Sequence, residues 1–514
     1  MSAWTIYISF LGAAAMMLLP NARPQMARVG ALLTAIAGLT IALLGIVQHT
    51  PGAEISTITK LDWIPDLGIS FHLAADGISL VLVLLTGIAA VCGILFSWNI
   101  EHRAKEFFAF YLALIGGVYG VFLSFDLFLL FVFYEIAIIP KYFLIAIWGS
   151  TNREYGAMKL ALYSFVGSAM VLVGLIATYV VAGANTFDLL ELAQFPFPET
   201  FQYWAFPLVF VGFAILAGLW PFHTWAPTGH VAAPTAASML LAGVVMKLGA
   251  YGALRVAMTL FPLGLDAWRN VIAVLAVIGI VYGALVALVQ KDFKFVIGYS
   301  SVSHMGFVLL GMMTLSQIGL SGAVLQMFSH GIIASLLFAV VGRMVYDRAH
   351  TRELSTLEGM RLSKKIPFAA VTFVIAGLAS MGLPGFSGFI AELQVVIGAW
   401  QTFPVLAIIS GIGIIIGVAY TLRALVKAFF GDNGARLCEA QHAGSAEALR
   451  VTDPRSADEA VEQIPAITLP EKIGACILIA ITLLVGLYPR ILLDVINPSL
   501  NSPLMQPLWK GGQP

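Results

Sequence analysis

Long apolar runs recur along almost the whole chain, separated by short polar segments. A bilayer-spanning helix needs about 20 predominantly apolar residues, and by that rule the chain carries about fourteen spans. They fall near residues 3–20, 28–47, 76–98, 107–124, 126–149, 156–182, 204–221, 234–260, 270–290, 293–314, 318–346, 367–397, 403–430 and 470–489. The fold class this predicts is an all-α polytopic membrane protein. The first run, Trp4 to Pro20, has no basic stretch before it and no small-residue cleavage site after it. It reads as a span rather than a leader. Segment 48–75 is polar enough to lie outside the membrane. Segment 431–469 is rich in Ala, Glu, Asp and Gln and has no apolar run. It reads as a solvated cytoplasmic insertion. The chain then divides into a transmembrane domain over 1–430, the insertion over 431–469, and a last helix with its tail over 470–514. After the last span, "RILLDVINPSLNSPLMQPLW" is only weakly amphipathic.

Two spans look interrupted. "LWPFHTWAP" (219–227) follows the seventh, and "GLPGFSGF" (382–389) cuts the twelfth with Pro384 and three glycines. Unwound backbone survives at membrane depth only where protein buries it or it lines a wet cavity. Paired breaks in corresponding halves of a transporter point to the path of the transported species. Here the breaks lie five spans apart. That spacing suits two five-helix repeats, spans 4–8 and 9–13, over about 107–260 and 270–430. The repeat rests on spacing, because the halves share no convincing sequence identity.

Composition agrees with a membrane protein. Of 514 residues, 60% are hydrophobic and 11% charged, against about 25% charged in soluble domains. Mean hydropathy is +0.93. Lys plus Arg and Asp plus Glu both number 27, so no basic excess favours nucleic acid. Cys92, Cys438 and Cys476 are far apart, and no Cys/His cluster suggests zinc, an iron–sulfur cluster or c-type haem. No dinucleotide or phosphate-loop motif occurs. Basic residues orient the spans. They follow odd-numbered spans: Arg23 and Arg28, Arg103 and Lys105, Arg153, Lys291 and Lys294, then Arg348, Arg352, Arg361, Lys364 and Lys365. Loops after even-numbered spans carry chiefly Lys60 and Arg269. The odd loops are therefore expected to be cytoplasmic, with both termini on the other side.

Charges inside the spans carry the candidate chemistry. Glu135, Lys247 and Glu392 lie near the middle of apolar runs, and Lys141 follows Glu135 in "YEIAIIPKYFLIAIWG". A charge at a helix centre costs about 2.5–3.5 kcal/mol on insertion scales. Such residues mark ion or proton pathways by default; the alternative is a structural ion pair between helices. Protons suit the set. Burial shifts a carboxyl up and an ammonium down in pKa, and pairing the two shifts both back. Making or breaking such a pair switches proton affinity. His304 and His330 lie on apolar helices beside Ser301, Ser303 and Ser329. An unperturbed imidazole titrates near pH 6.5, so the two extend a hydrated relay; the alternative is a hydrogen-bonded core histidine. Asp76 and Asp126 sit at helix starts, where capping accounts for them.

These residues also carry a resemblance. "FYEIAIIPKYFLIAIWG", "APTGHVAAPTAASMLLAGVVMKLGAYGALR", "QKDFKFVIGYSSVSHMGFVLLG", "GLPGFSGFIAEL" and "FHLAADGISLVLVLLTG" resemble the antiporter-like membrane subunits of respiratory complex I. The likeness covers about residues 1–430 and the last span. Within the family the M-type subunits, counterparts of mitochondrial chain 4, are the most similar. The resemblance implies fourteen helices, inverted repeats, broken helices seven and twelve, and a buried chain of Glu, Lys and His across the membrane centre. It places Glu135 on the family's helix-five glutamate, Lys247 on its helix-eight lysine and Glu392 on its helix-twelve glutamate. That terminal glutamate, where sister subunits often have lysine, favours the M type. His304 and His330 match its central histidines.

One departure stands out. The family pairs the helix-five glutamate with a lysine on helix seven, and here that position is Leu216. Lys141 stands where the family usually has an apolar residue. A relocated partner is the simplest account, although six residues amount to about 9 Å of rise and about 240° of rotation. Pro140 between them can kink the helix. The alternative is that Lys141 snorkels to an interface. Phe295, where the family commonly has a basic residue, is a lesser departure.

The expected function is therefore proton translocation by a non-redox membrane-arm subunit of an NADH:quinone oxidoreductase in a bacterial inner membrane. NADH, FMN, iron–sulfur clusters and quinone are expected in partner subunits, none in this chain. The expected partners are other membrane-arm subunits, above all neighbouring antiporter-like ones, and the lipid bilayer. The alternative is a subunit of a multisubunit cation/proton antiporter or a membrane-bound hydrogenase. A stand-alone solute permease would need a substrate-sized polar pocket, and no set of side chains suggests one.

Overall fold

The computed structural model describes residues 1–20, 23–49, 52, 54–431 and 464–510. The helices that organise it are α1 (Trp4–Leu18), α2 (Pro24–Gln48), α3 (Gly77–Phe96), α4 (Ala104–Leu123), α5 (Leu127–Trp148), α6 (Arg153–Ala182), α7 (Glu199–Ala217), α8 (Trp225–Ala232), α9 (Thr235–Met258), α10 (Pro262–Val289), α11 (Phe293–Met313), α12 (Gln317–Ala349), α13 (Pro367–Ser380), α14 (Ser387–Thr402), α15 (Pro404–Phe430), α16 (Leu469–Leu487) and α17 (Arg490–Leu500). Among the described residues, twelve helices are long and apolar enough to cross a membrane, and α1 and α13 are shorter apolar helices. Every expected span overlaps a helix or a broken pair, in the expected order. The chain is a multi-pass membrane protein whose spans are all helical. Most of the proposed insertion, residues 432–463, lies outside the described residues.

Burial sorts the helices. Every residue of α3 is buried, as is all of α9 from Ala236 onward. A helix apolar on all sides belongs inside protein or in a membrane; these two, with α12, form the centre. By contrast α2, α6, α10 and α15 turn large apolar side chains outward, among them Leu33, Leu162, Val274 and Ile415. Such a surface suits lipid or neighbouring helices and not water.

Caps explain where the helices begin. Asp126 accepts from the backbone N–H groups of Phe128 (2.9 Å) and Leu129 (3.0 Å) at the start of α5. Asp76 accepts from Ser79 N–H at the start of α3 (2.9 Å). Each carboxylate satisfies N–H groups that a helix start leaves orphaned.

Both expected interruptions are present. In the seventh span the chain leaves α7 through Gly218, at φ +86°, and resumes as α8. The Trp225 indole N–H crosses the break to the carbonyl of Ile215 (2.8 Å). In the twelfth, Gly382 (φ +70°) and Gly385 (φ +99°) separate α13 from α14. Left-handed backbone is open to glycine and strained for other residues. Two π-helical turns, Leu241–Val245 and Ala253–Met258, lie inside α9, and a third, Ala339–Tyr346, inside α12.

Two segments depart from expectation. Segment 48–75, read as a polar loop, holds an antiparallel hairpin, β1 (Ser56–Ile64) and β2 (Ile69–Ala75), with Lys60 opposite His72. It turns through Gly68, at φ +64°. The hairpin is buckled to the α6–α7 loop: Asp188 meets His72 Nδ1 at 2.8 Å and Lys60 Nζ at 2.7 Å. Lys60 also reaches Glu191 (3.2 Å), so its charge is compensated. The tail is more amphipathic than its sequence suggested. Leu492, Ile496 and Leu500 bury one face of α17 at a spacing of four, which stacks side chains on a helix. That face seals the start of α3, where Gly77 N–H donates to Ser499 Oγ (2.7 Å).

Candidate functional site

Lys247 lies in the middle of α9, just after the first π turn, and is fully buried. Its ammonium donates to the carbonyl of Ala242, five residues back. A π turn shifts the backbone ladder by one residue, and here the side chain takes up a carbonyl inside that turn. Nζ also lies 2.7 Å from Nδ1 of His330 on α12. His330 Nε2 is buried and has no hydrogen-bond partner among the described residues.

The next imidazole, His304 of α11, has its ring centre 5.4 Å from that of His330, with the rings inclined by 31°. A ring rotation or a single water closes such a gap. His304 Nδ1 lies 2.8 Å from Glu392 Oε1, and its Nε2 lies 3.1 Å from Ser380 Oγ at the end of α13. Gln326 Nε2 donates to the same Glu392 oxygen (3.1 Å). Glu392 stands on α14, just past the break. A Cβ on Gly382 would come within 3.2 Å of Glu392 Oε2. The interruption thus brings bare backbone up to the carboxylate. Four expected residues form one row: Lys247, His330, His304, Glu392. Each can give or accept a proton.

Glu135 and Lys141 are not part of that row in the described contacts. Glu135 is half-buried on α5; its Oε1 has no hydrogen-bond partner among the described residues, and the Ser168 hydroxyl lies beside its carboxyl. Lys141 is fully buried, which rules against snorkelling to an interface. No ion pair joins the two among the described residues. The helix-seven position, Leu216, is buried where α7 meets α9: a Cβ on Gly249 would lie 3.1 Å from the Leu216 carbonyl carbon. A longer side chain at 216 would start beside the helix that carries Lys247.

Three further groups went unclaimed in the sequence. Lys294, expected as an orienting loop residue, is buried at the start of α11; its Nζ donates to Ala233 O (2.9 Å) and lies 3.5 Å from Ser238 Oγ. Ser238 Oγ donates to His230 O (2.7 Å). His230 is fully buried, and neither ring nitrogen has a partner among the described residues. It lies within electrostatic range of both Lys247 and Lys294. Lys294 also lines a cavity of about 480 Å³ with Ser97, Trp148, Ser150, Thr235 and Arg343. Lys294 thus links that cavity, by way of Ser238, to the backbone of His230, whose ring bonds to neither lysine among the described residues. The available signal was a Lys and a His within the same quoted motifs. Arg255, the third, pairs with Asp76.

Among the described residues, no group of three or more His, Cys, Asp or Glu could hold a metal ion. Residues 124–417 match the family described as NADH:quinone oxidoreductase/Mrp antiporter, TM. The chain is 36% identical over 471 residues to NADH-quinone oxidoreductase subunit M of Rhodobacter capsulatus, covering 89% of this chain and 86% of that one. It is 35% identical over 517 residues to the subunit M of Pseudomonas aeruginosa, covering 97% and 96%. Among solved structures it resembles a chain of respiratory complex I from Thermus thermophilus with bound NADH, at a TM-score of 0.86 and 26% identity over 100% of both chains.

Proposed function

This chain belongs to the NADH:quinone oxidoreductase/Mrp antiporter transmembrane family, and we propose that it translocates protons as a membrane-arm subunit of NADH:quinone oxidoreductase. NADH, FMN, iron–sulfur clusters and quinone belong to partner subunits, and neighbouring antiporter-like subunits flank this one. The antiporter reading has less support, because relatives matching nearly the full length bear the oxidoreductase name. The chain sits in a bacterial inner membrane with the Lys294 cavity facing the cytoplasm and both termini on the other side. The basic residues of the odd loops support that orientation. Helices α4–α9 and α10–α15 are the two inverted repeats; the equal placing of their breaks supports this.

One observation carries the reading: Lys247, His330, His304 and Glu392, from four different helices, meet in one buried row. In this reading Lys294 takes a proton from the cavity and passes it by way of His230 to Lys247. Lys247 yields it to His330 Nδ1, His304 follows, and Glu392 receives it. Glu135 faces the incoming signal from the neighbouring subunit. Its charge sets how strongly Lys247 holds its proton, and Lys141 takes the place of the missing helix-seven lysine. The insertion over 431–469 has no part in the path.

The test is proton uptake by inverted membrane vesicles, measured beside NADH oxidation with an artificial acceptor. Lys247→Ala should retain the acceptor reaction and lose most proton uptake. Near-wild-type uptake in an assembled complex would overturn the assignment.

A further inference from the structure

Beyond Lys247, at the end of α9 away from the cavity, stands a second buried charge of a different kind. Arg255 follows Lys247 by eight residues, about 12 Å along the helix. Its guanidinium is 1% exposed and donates through Nη2 to Asp76 Oδ2, itself on a residue 1% exposed. Asp76 Oδ1 is already held by Ser79 N–H. Both carboxylate oxygens are therefore engaged. The guanidinium lies 5.5 Å from the ring centre of Tyr251 and 5.7 Å from that of Phe125. Tyr251 OH, one turn from Lys247, donates to Phe122 O (2.9 Å) and lies 2.9 Å from Ser79 Oγ. Arg255 Nε and Nη1 remain buried with no partner among the described residues.

A guanidinium has five donors, no acceptor and no accessible neutral form. Placed across a path, it offers a migrating proton nothing to bind and repels it electrostatically. An arginine can exclude protons from a pore in this way. Its unpartnered Nε and Nη1 turn three N–H donors toward any water beside it, which breaks the donor-to-acceptor order that proton hopping needs. We propose that the Asp76–Arg255 pair is a fixed-charge stopper. It closes the straight route along α9 and obliges a proton on Lys247 to leave sideways through His330. Asp76 neutralises the cation enough that Lys247 can still be protonated nearby. The proposal rests on the reading of Lys247 as a proton carrier, and Arg255 acts as a positioning residue that never takes the proton.

The test uses proteoliposomes holding the assembled complex, without NADH, and follows the decay of an imposed pH difference. Arg255→Gln removes the cation and supplies an acceptor oxygen, so the passive leak should rise severalfold. Adding Lys247→Ala should return the leak to the wild-type rate. Asp76→Asn keeps the cap and leaves the cation unneutralised. Its leak should stay at the wild-type rate, while pumping with NADH slows because Lys247 is harder to protonate. A merely structural pair would make both single variants leak alike. Should Arg255→Gln fail to assemble, Arg255→Lys replaces it: a lysine can lose its proton, and its leak should lie between wild type and an open path. A wild-type leak in an assembled Arg255 variant overturns the stopper, as does a leak that survives Lys247→Ala or one equal in Asp76→Asn. Failure of the carrier reading would show separately, as normal pumping by Lys247→Ala alone.

Discussion

Nζ of Lys247 lies 2.7 Å from Nδ1 of His330, across 83 residues of sequence. An ammonium can donate into that nitrogen only while the nitrogen is unprotonated. The pair therefore holds one proton between two sites. Lysine can give the proton up when buried, and arginine effectively cannot. Lys247→Arg should insert, assemble and keep its positive charge, yet pump about a hundredfold more slowly, the loss expected when a positioned acid–base group stops exchanging. Vesicle proton uptake per NADH oxidised measures it. Full pumping by the arginine variant would show that fixed charge suffices.

Glu135, which has the Ser168 hydroxyl beside its carboxyl and no ion pair to Lys141 among the described residues, raises the same kind of question. Glu135→Gln should abolish most proton uptake while assembly, followed by native gel, is unchanged. If Lys141 stands in for the missing helix-seven lysine, Lys141→Met should impair pumping severely, and adding Leu216→Lys should restore much of it. The double-mutant cycle reads this coupling directly. A mild Lys141→Met phenotype with no interaction between positions 141 and 216 would remove Lys141 from the mechanism and leave the row from Lys247 to Glu392 intact.

Gly382 combines a left-handed backbone with closeness to Glu392 Oε2. Gly382→Ala should cost about 1–2 kcal/mol of backbone strain and displace the carboxylate from His304. Gly385→Ala supplies the control: it is also left-handed, but its nearest neighbour is Leu487 Cδ2 at 4.0 Å. Proton uptake should fall in the first variant and hold in the second. Equal losses would assign the effect to strain alone.

The hairpin buckle has its own pH signature. Burial alone would raise the Asp188 carboxyl, but hydrogen bonds from His72 and Lys60 prevail and hold it down at about 2. Its unfolded value is about 3.9. A carboxyl held below its unfolded value stabilises the fold above that value and loses the contribution as pH falls toward the folded one. Amide exchange in β1 and β2, taken relative to the intrinsic rate at each pH, should therefore be steady from about pH 8 to 5 and quicken only in stronger acid. Asp188→Asn should quicken it at neutral pH. Unchanged exchange in that variant would show that the buckle does not hold the hairpin.

Much of this was legible in the sequence, for a physical reason. A bilayer demands long apolar runs and penalises every charge within them, so spans, breaks and the residues Lys247, Glu392, His304 and His330 stand out against their background. Arg255 did not, because its burial is explained by Asp76, 179 residues away, and no local pattern links the two. Lys294 sits near a span end, where a basic residue reads as an orientation signal whether or not it is buried. The π turns of α9 leave no trace in apolar periodicity. The hairpin was missed because β1 mixes polar and apolar residues on both faces, which blurs the alternation that β2 shows with Ile69, Phe71 and Leu73. The amphipathy of α17 emerges only when Leu492, Ile496 and Leu500 are set on a helix against α3.

The four groups of the row stand near the middle of their helices or, for Glu392, just past a mid-span break. Their line runs from helix to helix and not along any one of them. Moving one elementary charge fully across a membrane takes about 2.3 kcal/mol per 100 mV, but a displacement parallel to the bilayer does almost no work against that voltage. On the proposed path, with the spans upright in the bilayer, the transfers from Lys247 to Glu392 would thus be close to electrically silent. On that path membrane potential would oppose only the leg up from the Lys294 cavity and the final leg to the far side. A back-pressure of voltage should slow loading and release while leaving the sideways exchange at its own pace.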